Sequence, residues 1–475
     1  MGYINMKKFN KDKYLKKLRF KKYKRYLYIG IPCILVLLIG IYFAYSKFSV
    51  FKEEEVVRTT VGDFISGDAV IGAYVDGEYS KSIPGKNDGY VVDKIVCDND
   101  ASASWDNDAW GIVLTNLTKR TKCNVYFKKQ PSLTEAITTA MSNNLSMFAT
   151  DDPGNNIRYI GEDPSNYVYF NCSDYNNQSV ETCGLWRIIG VFNNVTKSDG
   201  SKENLVKIIS AYSLGDYSWD YKKTGVGTST TDWGSNDWSD SQLMMMLNPV
   251  DYLKSGYTYS GNIVSLGSQQ LYSKMGSYYN GTKGCKPAEV VSGASFSCTE
   301  VDFTSRGLTN DTTRNAIEEV VWNLGGIEAY DTSTASMFYT AERGTTVYTG
   351  RPTTWTGKIG LMYPSDYGYA TSGGTTKDRA ACLAKELYKW YEDDFTDCVR
   401  NDYLSLEYYT ERYKWTLAPY SAIADRVFSV SEIGNVGSGF TYGAAAVYPA
   451  LFLKSSILVD KGTGAKSDPY TLKMQ

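Results

Sequence analysis

The stretch TDWGSNDWSD, at positions 231–240, is the one place in this sequence where oxygen-bearing side chains are spaced closely enough to suggest a metal site. It places Asp232, Asn236, Asp237 and Asp240 within a single short segment. Carboxylate and amide oxygens are the ligands that calcium prefers in proteins. The same segment also suits a helix cap, because Asp240 stands just before an apolar run. The sequence therefore leaves two interpretations open, a calcium ion as cofactor and a simple cap.

Aromatic side chains in polar, glycine-rich segments form the second group that could bind a ligand. The chain has 40 tyrosines and 10 tryptophans, and rings set among Ser, Gly, Asn and Thr are typical of recognition loops. The alternative is packing in a core, which we predict for Trp186 and Trp415 because their segments are apolar. The predicted ligand-binding residues are Trp219, Trp233, Asn236, Asp237, Trp238, Trp355, Tyr363, Tyr367 and Tyr369.

The absence of histidine limits the catalytic chemistry of the chain. With no His among 475 residues, the sequence cannot build a Ser-His-Asp triad, a Cys-His pair or an HExxH metalloprotease site. A glycosidase that works through two carboxylates and a Ser-Lys hydrolase stay open as alternatives. No catalytic motif is recognisable, so we predict no catalytic residue.

Two carboxylates that stand beside glycine-containing turns form a third group. Glu342 precedes Arg343 in AERGTT, and Asp366 lies in PSDYGYA. A buried pair between an arginine and a carboxylate, joining a helix to a loop, would explain both segments. Direct contact with a ligand is the other interpretation.

The cysteines indicate a disulfide-bonded, exported protein. Cys33 lies in an apolar segment, and the other eight fall as four neighbouring pairs. Short gaps within pairs favour bridges that close local loops, and no pair has the spacing of a zinc site. The predicted bridges are Cys97–Cys123, Cys172–Cys183, Cys285–Cys298 and Cys382–Cys398.

The segment that would carry these groups outside the cell is the uncharged run at 26–45. It follows a tail, 1–25, with eleven Lys or Arg and one acidic residue. Twenty apolar residues just span a bilayer, and the basic flank predicts a cytoplasmic N-terminus. We therefore expect a single-pass cell-membrane protein with a charged spacer at 46–59 and extracellular domains after it. Ala44 and Ser46 would also suit a signal peptidase, which leaves open cleavage of this anchor.

The exported part is acidic, which argues against nucleic acid as a partner. Taking the tail away from the totals of 50 basic and 52 acidic residues leaves 39 and 51. An excess of acidic groups repels a phosphate backbone. Its expected partners are the membrane, through the anchor, and a glycan or an extracellular protein.

The elements predicted beyond the spacer divide into two domains. Alternating residues with regular turns predict a small all-β sandwich at 60–130, with strands at 69–75, 90–97, 109–115 and 122–127. A capping box at Ser132 and Glu135 predicts a helical linker at 131–156. We expect 157–475 to form a large α+β domain with long loops. Its antiparallel strands begin at 157, and its helices are predicted at 239–247, 312–322, 336–343 and 377–390.

Two resemblances refine this picture. The segment IPGKNDGYVVDKIVCDNDASASWDNDAWGIVLTNLTKRTKCNVYF resembles a module of uncharacterised surface proteins of Gram-positive gut bacteria, which implies an Ig-like spacer. The motifs GLWRIIGVF, WSDSQLMMMLN, GLMYPSDYGYA, YKWTLAPYS and VYPALFLKSSILVDKGTGAKSDPYTL resemble a family of bacterial domains of unknown function. That family is similar to the C-type-lectin-like and formylglycine-generating-enzyme-like fold. The resemblance implies a last strand near 470–473 beside the first, near 158–160.

These inferences give three hypotheses of function. The first is a membrane-anchored adhesion protein that presents a lectin-like domain to a glycan or protein ligand. The second is a glycan or cell-wall enzyme that uses carboxylates, and it needs two of them in one open cleft. The third is a structural envelope component without a soluble ligand.

Overall fold

The computed structural model of the protein describes residue 16 and residues 69–474, with gaps at 87, 99–100, 108, 116–120, 222–233, 254, 261–262, 267–268, 274–275, 287–298 and 406–412. The predicted tail, apart from residue 16, and the predicted membrane span and spacer lie outside the described residues. The chain forms two compact units, 1–129 and 130–475. The helix predicted as part of a linker belongs to the second unit.

The smaller unit is a mixed sheet with an added hairpin. Its strands are β1 (Ala69–Val75), β2 (Glu78–Ser80), β3 (Tyr90–Cys97), β4 (Ser102–Asp106), β5 (Gly111–Thr115) and β6 (Thr121–Lys129). The sheet order is β2-β1-β6-β3, with β1 and β6 parallel, and β4 pairs with β5. Inward positions of β6 alternate, so Val125 and Phe127 are buried in the core of this unit. Trp105 and Trp110 meet edge to face, 5.4 Å apart, and pack against Phe127.

The larger unit is built mostly from strands. They are β7 (Phe148–Ala149), β8 (Ile157–Tyr159), β9 (Tyr167–Phe170), β10 (Gly184–Thr196), β11 (Lys202–Ser210), β12 (Asp216–Ser218), β13 (Tyr257–Ser260), β14 (Ile263–Leu266), β15 (Gln269–Ser273), β16 (Lys283–Cys285), β17 (Glu300–Asp302), β18 (Val320–Asn323), β19 (Thr354–Gly357), β20 (Ile359–Gly360), β21 (Tyr413–Pro419), β22 (Arg426–Ser431), β23 (Val436–Phe440), β24 (Ala444–Ala446), β25 (Ala450–Leu453), β26 (Leu458–Lys461) and β27 (Thr471–Lys473).

The helices of the larger unit are short. They are α1 (Leu133–Asn143), α2 (Gln242–Leu247), α3 (Ser277–Asn280), α4 (Asp311–Ala316), α5 (Ala335–Glu342), α6 (Pro364–Gly368), α7 (Arg379–Ala384) and α8 (Thr396–Arg400). Single 3-10 turns lie at Leu145–Met147, Trp238–Asp240, Val250–Tyr252, Tyr330–Thr332, Leu387–Lys389, Asp393–Phe395 and Tyr403–Ser405. Helix α1 begins at the predicted capping box, in which Ser132 and Glu135 satisfy each other's backbone N–H groups. Its buried Leu133 and Ile137 join the core of the larger unit.

Two sheets organise the larger unit. A seven-stranded sheet has the order β20-β25-β11-β10-β8-β7, and β9 also pairs with β10. A five-stranded sheet has the order β12-β24-β21-β22-β23. Strands β10, β11 and β25 are apolar along most of their length, because the central strands of the first sheet are buried.

The C-terminal segment returns to the seven-stranded sheet beside a different strand from the one expected. Residue Tyr470 exchanges backbone hydrogen bonds with β9, donating to the carbonyl of Tyr167, and its own carbonyl accepts from Tyr169. Strand β27 itself pairs with β26. The last strand therefore lies beside β9 and not beside β8, since β8 is already paired with β7 and β10.

The fold class predicted from the sequence is wrong. The described parts of both units are mostly β-sheet, and the helices of the larger unit are short, so the structure does not show the Ig-like sandwich and α+β lectin-like domain that were expected. In the part of the chain that the structure describes, no helix is long and apolar enough to cross a membrane. The prediction of an α+β domain failed because several of the helices in the structure are shorter than the predicted ones. Helix α4 stops at Ala316, and Val320 to Asn323 pair with β19 instead.

Candidate functional site

The tryptophans predicted to contact a ligand are buried. Trp219, Trp238 and Trp355 have 0, 1 and 7 % of their surfaces exposed. Trp238 packs against both others, with ring centroids 5.3 Å from Trp219 and 6.0 Å from Trp355. The indole N–H of Trp219 donates to the carbonyl of Thr416. These rings are core residues because the polar segments around them fold inward beside the fully buried helix α2. Trp233 lies outside the described residues.

The predicted tyrosines are buried as well. Helix α6 is buried from end to end, and it carries Tyr363, Tyr367 and Tyr369 at or near its ends into the core. The hydroxyl of Tyr367 donates to the carbonyl of Gly434, 2.7 Å away, and that of Tyr363 to the carbonyl of Asn323. A buried tyrosine hydroxyl needs such a partner, so these rings serve packing and not an exposed binding loop.

The candidate calcium ligands are used inside the protein. The side-chain amide of Asn236 donates to the carbonyls of Tyr420, Ile423 and Arg426, and it is 2 % exposed. Asp237 caps the 3-10 turn Trp238–Asp240. Asp232 lies outside the described residues, and Asp240 has a partner within the chain. Within the described ranges, no group of three or more acidic or cysteine side chains could hold a metal ion.

Three of the predicted disulfides are confirmed. The bridges Cys97–Cys123, Cys172–Cys183 and Cys382–Cys398 are all formed. Cys285 is disulfide-bonded, and Cys298, its predicted partner, lies outside the described residues. The first bridge joins β3 to β6, where its two cysteines face each other in the strand register.

A buried ionic cluster lies between the seven-stranded sheet and helix α6. Asp366 accepts hydrogen bonds from Nη1 of Arg158 at 2.9 Å and from Nζ of Lys207 at 2.5 Å. Asp152 accepts from Nε of the same arginine at 2.5 Å. Burial alone would raise the pKa of Asp366, but Lys207 and Arg158 overcome it and lower the pKa to about 2. The cluster holds two cations and two anions, so its net charge is zero.

A second buried carboxylate stands next to this cluster. Glu342, at the end of α5, is 1 % exposed and accepts from the backbone N–H and the hydroxyl of Ser365. Nη1 of Arg343 lies 3.1 Å from it. Burial raises the pKa of Glu342 to about 7, although Arg343 opposes the change. The sequence was therefore right to expect buried carboxylates here, but it did not identify Arg158 and Lys207 as the partners of Asp366.

An open groove of about 560 Å³ crosses the five-stranded sheet. Its floor is a row of three opposed residues, Trp415 on β21, Ser429 on β22 and Gly437 on β23. Residues opposite each other on neighbouring strands point to the same face, so this row places one large ring beside two small residues on one face of the sheet. Gly439 continues the floor, where an added Cβ would lie 3.2 Å from the Trp415 ring. Small residues thus keep the groove open above the indole.

Aromatic rings border the groove. Phe440 and Tyr442 are stacked with centroids 5.0 Å apart, and Tyr330 meets Tyr388 edge to face at 5.4 Å. Tyr413, which also lines the groove, is half exposed, and Phe440 is 40 % exposed. Among the described lining residues, Glu432 is the only charged one, and Ser431, Asn435 and Ser438 add hydrogen-bonding groups.

The groove combines rigid ring faces with a few polar groups, which suits a sugar chain or an extended segment of protein. The sequence-based prediction missed its aromatic residues, because Tyr413, Phe440 and Tyr442 stand in short strands and a turn. A usable signal was the alternation of small residues in VFSVS and VGSGF, which leaves one face of a β-sheet without bulk.

No protein-family model, no curated protein and no solved structure matches this chain.

Proposed function

We propose that the protein is an extracellular binding protein whose groove on the five-stranded sheet binds a glycan. The observation that carries this proposal is the groove itself, with Trp415 in its floor and exposed rings at Tyr413 and Phe440. Flat aromatic faces contact the C–H faces of sugar rings, and hydroxyl and amide groups bond the sugar hydroxyls.

The disulfides support an extracellular location. Three formed bridges in one chain are typical of proteins that fold in an oxidising compartment, because the cytosol keeps such thiols reduced. The acidic balance of the exported part agrees with a ligand other than nucleic acid.

The groove favours binding over hydrolysis. A glycosidase needs two carboxylates roughly 5 to 9 Å apart in one cleft. Of the described residues that line the groove, only Glu432 is a carboxylate, and it is exposed. Among the described lining residues, no second carboxylate stands beside it to act as acid or nucleophile, so a binding site fits this groove better than an active site does.

Filling the groove from its floor tests the proposal. An ideal Cβ on Gly437 has only Nδ2 of Asn435 within 4 Å, at 4.0 Å, so the first carbon of a side chain fits there without a clash. Gly437→Leu should place its branched side chain over the floor and abolish binding on a glycan array. Gly437→Ala is the matched control, because a methyl group leaves most of the groove open, and it should bind as the wild type does.

Two results would count against the proposal. A wild-type protein that binds no glycan would shift the assignment to a protein ligand or a structural role. Glycan binding that survives Gly437→Leu would move the site away from the groove. Repeating the array with a calcium chelator tests the separate possibility of a calcium-dependent site, since groove binding should not change.

A further inference from the structure

A second cavity of the larger unit, of about 310 Å³, shares none of its described lining residues with the groove. It lies where the end of β10 meets β18 and the last turn of α5. Phe192, Trp322 and Phe452 form its apolar wall, and two ring pairs among them are in contact, at 5.8 and 5.3 Å. This volume is at the lower end of the range for small-molecule sites, about 300 to 1,000 Å³.

The charged side chains that line this cavity among the described residues are all cations. Lys207 and Arg343 line it, and no carboxylate does so among the described residues. That is unusual in a chain whose exported part carries more acidic than basic residues. Lys207 is fully covered and paired with Asp366, so its charge is already balanced. Arg343 is therefore the cation that a ligand in the cavity would meet.

Arg343 is held in place and keeps hydrogen-bonding capacity. Its guanidinium lies 3.5 Å above the ring of Tyr339. Its Nη1 donates to the carbonyl of Tyr339 and to Glu342, both at 3.1 Å. Among the described residues, no hydrogen bond engages its Nε or Nη2, and 27 % of the side chain is exposed. A stacked guanidinium with two free donors is prepared for a planar carboxylate.

The other polar groups of the cavity are neutral. Asn323 exchanges hydrogen bonds with Tyr363 through its backbone, and among the described residues no hydrogen bond engages its side-chain amide, which is therefore available to a ligand. Thr196 and Asn194 add a hydroxyl and a second amide at the same cavity. Amides and hydroxyls of this kind bond the hydroxyl groups of a small polar molecule, and the aromatic wall contacts its carbon skeleton.

We infer that this cavity binds a small hydroxylated carboxylate, of the size of an acidic monosaccharide, with its carboxylate on Arg343 and its hydroxyl groups on Asn323 and Thr196. The inference stands apart from glycan binding in the groove. Glu342 favours it, because burial raises the pKa of that carboxyl to about 7 and so weakens its hold on the charge of Arg343 at neutral pH.

Calorimetric titration of the full-length protein with D-glucuronate tests the inference, with D-glucose as the neutral match and inorganic phosphate as a second anion. Saturable binding of glucuronate, with binding of glucose and phosphate at least about tenfold weaker, is expected, since glucose cannot form the charge-assisted pair with Arg343 and phosphate does not match the planar guanidinium and the hydroxyl-binding groups together. No binding of glucuronate, equal binding of glucose, or a preference for phosphate would overturn it.

Two variants locate the site. Arg343→Gln removes the guanidinium and should weaken glucuronate binding by about tenfold or more. Asn323→Asp changes charge with almost no change of shape, and its new carboxylate should repel the ligand to a similar extent. Among the described residues, the side chain of Asn323 makes no hydrogen bond or ion pair, so this variant should keep the fold even if Arg343→Gln disturbs it. Gly437→Leu, which fills only the groove, should bind glucuronate normally. Binding unchanged in both cavity variants would refute the assignment.

Discussion

Replacing Asp366 by asparagine should destabilise the larger unit strongly, because it leaves two buried cations with one anion. The side chains of Asp366, Arg158 and Lys207 are at most 2 % exposed, and both cations lie within 2.9 Å of the carboxylate. Removing one partner of a buried ion pair costs about 3 to 5 kcal/mol. Asparagine keeps the shape, so the loss should come from charge and not from packing.

The lowered pKa of Asp366 predicts how this loss depends on pH. Its folded-state pKa of about 2 is below the ordinary 3.8, so the ionised carboxylate stabilises the fold above about pH 4. That stabilisation, about 2.5 kcal/mol, disappears as pH falls towards 2. The difference in stability between wild type and Asp366→Asn should therefore shrink by about 2 kcal/mol between pH 5 and pH 2, and the remainder should be lost below pH 2.

A double-mutant cycle with Lys207→Met separates the ion pair from other effects. The double variant removes one charge of each sign and leaves Arg158 paired with Asp152. It should lose about 1 to 3 kcal/mol less than the sum of the single variants. Urea unfolding followed by tryptophan fluorescence measures this, since eight of the ten tryptophans belong to residues 130–475. Additive losses, or a pH-independent difference, would refute the reasoning.

Three further predictions concern other buried features. The pKa of Glu342 in the folded protein is about 7, against an ordinary 4.5, so ionisation of this carboxyl opposes folding. The free energy of unfolding of the wild type should therefore fall by up to about 3 kcal/mol between pH 5 and pH 8 in urea titrations. The free energy of unfolding of Glu342→Gln should fall far less over the same range. Replacing Cys172 and Cys183 by serine removes a bridge between cysteines 11 residues apart in the sequence. The loop that the bridge closes is then free in the unfolded chain, and the free energy of unfolding should fall by about 3 kcal/mol. Gly190→Ala should destabilise by about 2 kcal/mol or more in thermal unfolding, because its Cβ would clash with the backbone of β8, whereas Gly437→Ala should not.

Local sequence patterns predicted the parts of the fold that depend on neighbours in the chain. Strand β6 alternates along its length, and the capping box at Ser132 starts α1 where expected. Cysteine spacing identified three bridges, because each closes a local loop. The predicted helix at 312–322 failed after Ala316, since pairing with a strand more than thirty residues away decides the conformation of β18.

The candidate site was harder to predict, because exposure is a property of tertiary packing. Trp219 and Tyr367 stand among polar residues in sequence, yet both are completely buried. Asn236 has a side chain that could bind a metal ion, but its amide N–H groups donate to three backbone carbonyls. The groove arises from small residues brought into register across three strands. A single sequence shows each of those residues, but not which ones will stand opposite each other.

The ionic cluster and the cavity are connected through Lys207, and this connection gives Asp366 a part in binding as well as in stability. The ammonium group of Lys207 lies among four rings, the nearest being Tyr363 at 4.4 Å, and the same residue lines the cavity. Asp366 cancels its charge, so Arg343 is the cation, among the described residues that line the cavity, that attracts an anion in the wild type. Asp366→Asn removes the carboxylate that cancels this charge and that opposes the lowering of the Lys207 pKa by burial. That variant should unfold more easily and yet bind glucuronate at least as tightly as the wild type, whereas a cavity that merely loosened with the fold would bind it less.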